Sequence, residues 1–140
     1  MMKDSNCIFC KIIAGKIPAE KIYEDSHSVA FLDLEPRAPG HTLVIPKEHS
    51  EFLSGLPDEE IGPLFLAVKN VSGAVIDAVH ADGATIGINQ GSAAGQVVGH
   101  IHVHIVPRFY KDGGGAIQSV VQNKPKESLK EIKDEILKKS

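Results

Sequence analysis

His100-Ile101-His102-Val103-His104-Ile105-Val106 sets three imidazoles at period two, with branched aliphatics between them. Alternating β-branched and polar residues form the pattern of a half-buried strand, which Pro107 is expected to close. Alternate side chains of a strand share a face and lie roughly 6–7 Å apart. Ile101, Val103 and Ile105 are therefore expected to face the core, with the imidazoles in a row on the opposite face. A solvated polar face would be served as well by Lys, Thr or Glu. Imidazole titrates near neutrality and can act as nucleophile, acid, base or metal ligand, so the row points to chemistry.

The rest of the chain gives the strand its neighbours. Ile17 to Glu24 and Ser28 to Asp33 read as strands around the turn Asp25-Ser26-His27, with His27 a solvated loop residue. Arg37-Ala38-Pro39-Gly40 is a turn into a strand over His41 to Ile45, and Ala84 to Ile88 is a further strand. Short connections imply antiparallel neighbours. Ile61, Leu64, Phe65, Val68, Val71, Val75, Ile76 and Val79 recur at three and four inside a long helix over Pro57 to His80. Pro63 is out of place in that pattern, so either a separate first turn precedes Gly62-Pro63 or the helix kinks. His80 is expected to complement the helix dipole at its C-terminal end. Cys7 to Ala14 reads as a short helix stopped by Gly15, and Leu129, Ile132 and Ile136 mark a final amphipathic helix. The fold class is α+β: an antiparallel meander of about five strands with one long helix and shorter flanking ones, forming one domain over 1–140.

Composition narrows the function classes. The chain has 140 residues, 42% of them hydrophobic, and a net charge of −3. That supports a full core. No basic cluster suggests a nucleic-acid polymer as partner. The uninterrupted apolar runs fall short of the ~20 residues of a membrane span, so no membrane is expected as partner. The first residues lead straight into Cys7 with no apolar leader, and a Cys7-x-x-Cys10 pair suits a reducing compartment. The expectation is a cytoplasmic protein. The cysteine spacing is that of a zinc knuckle with only half its ligands; two buried free cysteines are the alternative. A redox pair would need a preceding strand, which this N-terminus lacks.

Other residues have two readings each. Ile8, Phe9 and Ile12 can plug the core or wall a flat apolar ligand. Asp33, at a strand end before a turn, can cap that turn or accept hydrogen bonds from a ligand. The loop Asn89-Gln90-Gly91-Ser92-Ala93-Ala94-Gly95-Gln96 can be merely flexible, or can offer bare backbone N–H groups to an anion.

Taken together, Cys7-Ile8-Phe9-Cys10-Lys11-Ile12-Ile13, Phe31-Leu32-Asp33, His41-Thr42-Leu43-Val44-Ile45-Pro46-Lys47-Glu48-His49 and the histidine run through Pro107-Arg108 resemble the histidine triad (HIT) family of nucleotide hydrolases and transferases. The resemblance covers most of the chain and is strongest to the prokaryotic Hint-like branch with Cys-x-x-Cys. It implies a purine pocket walled by Ile8, Phe9 and Ile12, with Phe31 and Leu34 helping to hold base and sugar and Asp33 on the ribose hydroxyls. It implies phosphate contacts from Asn89, Gly95, Gln96 and position 97, and an active site of His41, His100, His102, His104 and Gln96. Val97 stands where eukaryotic relatives often carry Ser or Thr, so a hydroxyl contact is missing. The resemblance also implies a structural zinc held by Cys7, Cys10, His49 and His100, no requirement for a catalytic metal, and a homodimer. The expected reaction is attack by His102 on the α-phosphorus of a purine nucleoside 5′-phosphoramidate, adenosine foremost, through a nucleotidyl-histidine that releases a nucleoside monophosphate. Dinucleoside polyphosphate hydrolysis, of the diadenosine tetraphosphate kind, and a non-catalytic nucleotide- or metal-binding module are the alternatives.

Overall fold

The computed structural model describes residues 3–140. Five strands form one antiparallel sheet: β1 (Lys21–Glu24), β2 (Ser28–Leu32), β3 (Thr42–Pro46), β4 (Gly83–Gly87) and β5 (Val103–Arg108). Their order is β1-β2-β3-β5-β4. The first three make a meander, and the long helix α2 (Asp58–Val79) then carries the chain to the far edge, so that β5 inserts between β3 and β4. A short α1 (Ile8–Ile13) and a terminal α3 (Leu129–Lys139) complete the fold.

The sheet is buried on both faces, and each face has its own core. On one, Ala30, Val44, Val103 and Ile105 meet Leu64, Ala67, Val68, Val71 and Val75 of α2. On the other, Val29, Phe31, Leu43 and Ile45 meet Phe9, Cys10 and Ile12 of α1. Double burial explains why β2 and β3 read as near-continuous apolar runs while β5 alternates. By length and composition α2 is apolar enough to cross a bilayer, with mean hydropathy 1.3. Here its stripe covers the sheet instead. The helix runs continuously through Pro63, with Asp58, Glu59 and Glu60 in its first turn. His80 forms the C-cap itself, in the left-handed conformation.

Gly40 fixes how α2 meets the sheet. Its φ is +83°, and a Cβ there would come within 3.0 Å of the Val75 and Val79 methyls. Any larger residue would push the helix away from the turn that delivers His41. By contrast α3 buries none of its residues; it rests on its own Ser128–Glu131 capping box.

Most boundaries fall within a residue of expectation, and three differences bear on the fold. The ladder of β5 starts at Val103, leaving His100 to His102 extended but outside it. In the β3–β5 register Pro46 falls opposite Ile101 and has no N–H for the Ile101 carbonyl; its own carbonyl accepts His100 Nε2–H at 2.8 Å, and Ile101 N–H bonds Ser50 O at 2.7 Å. Pro107 does not close the strand, which continues to Arg108; past Ile105, β5 is paired only with β4, where a proline is tolerated. β1 is shorter than Ile17 to Glu24, starting at Lys21. His27 is not simply solvated: its Nδ1 lies 3.0 Å from Glu60 Oε2 on α2.

Candidate active site and metal centre

Even-numbered residues of the histidine run face α1. His104 pairs with Leu43, which belongs to the α1-side core, and the His102 and His104 rings follow one another at 5.1 Å. Phe9 from α1 stands edge-on to His102 at 5.2 Å and to Phe31 at 5.5 Å. The anchor of this helix thus also packs the ring beside it.

Hydrogen bonds assign the protons on the imidazoles. His102 Nδ1 is 2.7 Å from His100 O, a carbonyl that can only accept. Nδ1 therefore carries the proton, and Nε2 keeps a bare lone pair. At His41 the order is reversed. Arg37 N–H donates to His41 Nδ1 at 3.1 Å, so the proton of the neutral ring sits on Nε2. That Nε2–H faces His104 Nδ1 at 3.0 Å and Asp33 Oδ2 at 3.5 Å. His104 Nδ1 must then accept, which leaves His104 with its proton on Nε2. The pair offers a nucleophilic nitrogen on one ring and a donor on the next. Burial, aided by His102 and His41, pushes the His104 pKa down to about 4; burial likewise lowers His41 despite Asp33 nearby. Both rings are neutral at neutral pH.

A cavity of about 450 Å³ opens beside this cluster, lined by Leu32, Asp33, Arg37 and His41 among others. Asp33 also does the turn's work, since its Oδ1 accepts Glu35 N–H at 2.9 Å. Its two readings therefore coexist: one oxygen caps, the other faces the imidazoles.

The loop before the histidines is more closed than its composition implies. N–H groups of Ala94, Gly95 and Gln96 bond back to Gly91 and Ser92 carbonyls, with Gly95 in the left-handed region. Gln96 Oε1 accepts Gly91 N–H, and its Nε2 donates to Glu51 O and Val98 O. The Gln96 amide is thus occupied in holding the loop's shape. Asn89 and Gly95 are exposed, Leu34 is 84% exposed and Val97 94% exposed. None of these four hydrogen-bonds a histidine among the described residues. Of the apolar trio, Phe9 and Ile12 are core residues, and Ile8 is half-exposed. Leu32 and Arg37 line the cavity although nothing local marks them: both read as ordinary strand-end and turn residues.

The second cluster lies behind the first. Cys7, Cys10, His49 and His100 point one ligand atom each at a common centre. Cys7 Sγ and His100 Nδ1 are 3.4 Å apart, Cys10 Sγ and His49 Nδ1 3.4 Å, and the two Nδ1 atoms 3.1 Å. A tetrahedral ion at ordinary bond lengths to sulfur and nitrogen separates such atoms by roughly 3.3–3.6 Å. His100 Nε2–H donates to Pro46 O at 2.8 Å, so its Nδ1 lone pair is free for a cation. Burial raises the Cys7 pKa and lowers that of His100 to about 4, so a Cys7 thiolate there needs a positive ion beside it. The donor set fits a tetrahedral metal with no open coordination position.

Comparison with known proteins agrees with this geometry. The HIT domain family model matches residues 14–111. A solved HIT family protein of Bacillus subtilis is 43% identical, with a TM-score of 0.86 over 97% of this chain and 98% of that one. A zinc-bound histidine triad family protein of Mycobacterium smegmatis is 38% identical, with a TM-score of 0.73 over 87% of this chain and 84% of that one. An adenylylsulfatase of Arabidopsis thaliana is 40% identical over 108 residues, 77% of this chain and 55% of that protein. With its sheet, its histidine row and these relatives in agreement, the chain belongs to the HIT family.

Proposed function

We propose that this protein hydrolyses purine nucleotides at the α-phosphorus, with nucleoside 5′-phosphoramidates, adenosine first, as the preferred substrates. The observation that carries the reading is the 2.7 Å bond from His102 Nδ1–H to His100 O, which fixes a lone pair on Nε2. His102 Nε2 forms a bond to phosphorus while the P–N bond breaks and its electron pair leaves with the amine. His41 and His104 are neutral, so the proton that the amine needs comes from water at the open mouth. The hydroxide that this leaves then attacks phosphorus, the His102–P bond returns its pair to Nε2, and a nucleoside monophosphate leaves. His104 Nε2–H stabilises charge on a non-bridging oxygen, and His41 holds His104 in the tautomer that donates. Gln96 acts through the loop it holds, leaving the N–H groups of Ser92 and Ala93 for the phosphate.

Zinc is the proposed occupant of the Cys7, Cys10, His49 and His100 centre, supported by its sulfur and nitrogen donors and by the zinc-bound Mycobacterium smegmatis relative. Its role is structural and no catalytic metal takes part. Reduced thiols at that centre favour a cytoplasmic setting. A homodimer is supported by the outer face of α2, where Phe65 and Leu66 are exposed, and by β4 as an uncovered sheet edge.

The test is His102→Asn. Losing the nucleophile removes the two-step route, so turnover should fall by about three orders of magnitude, over ~4 kcal/mol of barrier, with nucleotide affinity little changed. A variant keeping a tenth of wild-type activity would make the row a binding surface, the non-catalytic alternative. Comparing kcat/KM for adenosine phosphoramidate and diadenosine tetraphosphate separates the two enzymatic readings.

A further inference from the structure

The loop 91–96 is tied down from outside at both ends, and one short segment makes both ties. Ser50, Glu51 and Leu53 lie in the connection between β3 and α2. Ser50 O accepts Ile101 N–H at 2.7 Å, one residue before His102. Glu51 O accepts from Gln96 Nε2 at 2.9 Å, at the exit of the loop. Leu53 N–H donates to Gln90 Oε1 at 2.7 Å, at its entrance. The same four-residue stretch therefore grips the histidine run and both flanks of the loop.

That stretch is itself fixed. Ser50 Oγ donates to Phe52 O at 2.7 Å, and a Cβ on Gly55 would stand 2.7 Å from Ser50 Oγ. Gly55 N–H and Leu56 N–H turn back to Phe52 O and Leu53 O, and Leu56 is buried in the core beneath α2. His49, just ahead of it, points into the metal centre. The loop has less support of its own. Its N–H groups at Ala94, Gly95 and Gln96 return to the Gly91 and Ser92 carbonyls, which sets its shape but not its orientation. Orientation comes from the flanks. A loop attached at Gln96 alone could pivot about that point, whereas a second attachment at Gln90 stops the rotation.

We propose that Gln90 is a positioning residue for phosphate binding. By accepting Leu53 N–H it fixes the entrance of the loop, so that the Ser92 and Ala93 N–H groups face the phosphate held beside His102. This rests on the hydrolase reading above, which puts the phosphate there. Gln90 touches no substrate atom and acts through the loop. Without its bond the loop samples several orientations, and the apparent phosphate affinity falls with the fraction that is competent. Gln90 is exposed, so its loss leaves the cores intact.

The experiment measures dissociation constants of AMP and of adenosine by calorimetry within each variant, so that damage to nucleoside binding cancels. Gln90→Met removes the acceptor and keeps the length of the side chain. Its AMP affinity should fall about fivefold, with adenosine changed by less than about twofold. KM for adenosine phosphoramidate should rise by about the same factor while kcat stays within about twofold. Leu53→Pro removes the donor from the other side. Leu53 opens a short 3-10 helix after the extended Phe52, a place that accepts proline. The double variant should lose no more than either single variant, because both changes delete one bond.

An AMP-to-adenosine ratio within about twofold of wild type in Gln90→Met overturns the proposal, and so does a double variant whose losses multiply. The hydrolase reading fails differently. If wild-type protein turns over no nucleotide while the ratio still falls in Gln90→Met, that reading is lost and the tie stands as part of a phosphate-binding module.

Discussion

Removing the metal from the Cys7, Cys10, His49 and His100 centre should cost both stability and activity, by separable routes. The centre ties α1, the loop after β3 and the start of the histidine run together. With free zinc about a thousandfold above its dissociation constant, the folded state gains roughly 4 kcal/mol. For a chain of this length each kcal/mol moves Tm by roughly 3–5 °C, so metal-depleted protein should melt more than about 10 °C lower. Activity is coupled through one residue. His100 offers Nδ1 to the metal, while its backbone oxygen holds His102 Nδ1–H at 2.7 Å. Phe9, on the helix that the metal pins, packs on the His102 ring at 5.2 Å. Without the metal that carbonyl and that ring lose their support, and kcat should fall about tenfold at temperatures where the protein is still folded. The assay is paired melting curves and kcat on chelator-treated protein and after restoring one equivalent of zinc, with Cys10→Ser as a second route to the metal-free state. A Tm difference under about 3 °C would refute the stability argument. Unchanged kcat in folded, metal-free protein would refute the coupling through His100.

Two further outcomes follow from the same geometry. Leu66→Glu, at a 57% exposed position on the outer face of α2, should convert a homodimer to a monomer of 15.0 kDa in sedimentation without unfolding it; a wild-type monomer at micromolar concentration removes the dimer. The His104 pKa is held at about 4, below its ordinary value of 6.5, so the unfolded chain takes up that proton first. Stability from this group is whole above pH 6.5 and is lost as pH falls towards 4. Urea midpoints between pH 4.5 and 6.5 should therefore slope less steeply in His104→Asn than in wild type, and equal slopes remove the claim.

Much of this was legible because local signals agreed with the fold. Gly15 stops α1, Pro57 leads α2, and β5 shows its two faces by alternation. What was not legible depends on partners far away in sequence. Nothing around Ile101 reveals that Pro46 sits opposite it, yet that placement decides where the ladder begins. His27 looked solvated because Glu60 is 33 residues distant. Asn89, Gly95 and Val97 could be named from the resemblance, but the loop's hydrogen bonds engage the N–H groups of Gly91, Ala94, Gly95 and Gln96 within it, which composition does not disclose. Arg37 carries no motif at all. That no ion pair meets its side chain among the described residues is a property of the folded surroundings alone.

The two-sided sheet has a consequence for how such a protein can change. Along β5, Val103 and Ile105 belong to the α2 core, while His104 belongs to the imidazole row. Position parity therefore divides two duties within six residues. Substitutions at odd positions can be offset by repacking α2 without disturbing the reactive groups. Inserting or deleting one residue in β5 exchanges every duty at once, turning imidazoles inward and aliphatics outward. The turn around Arg37 and the segment 109–120 lie outside this parity, so their length can change without exchanging those duties.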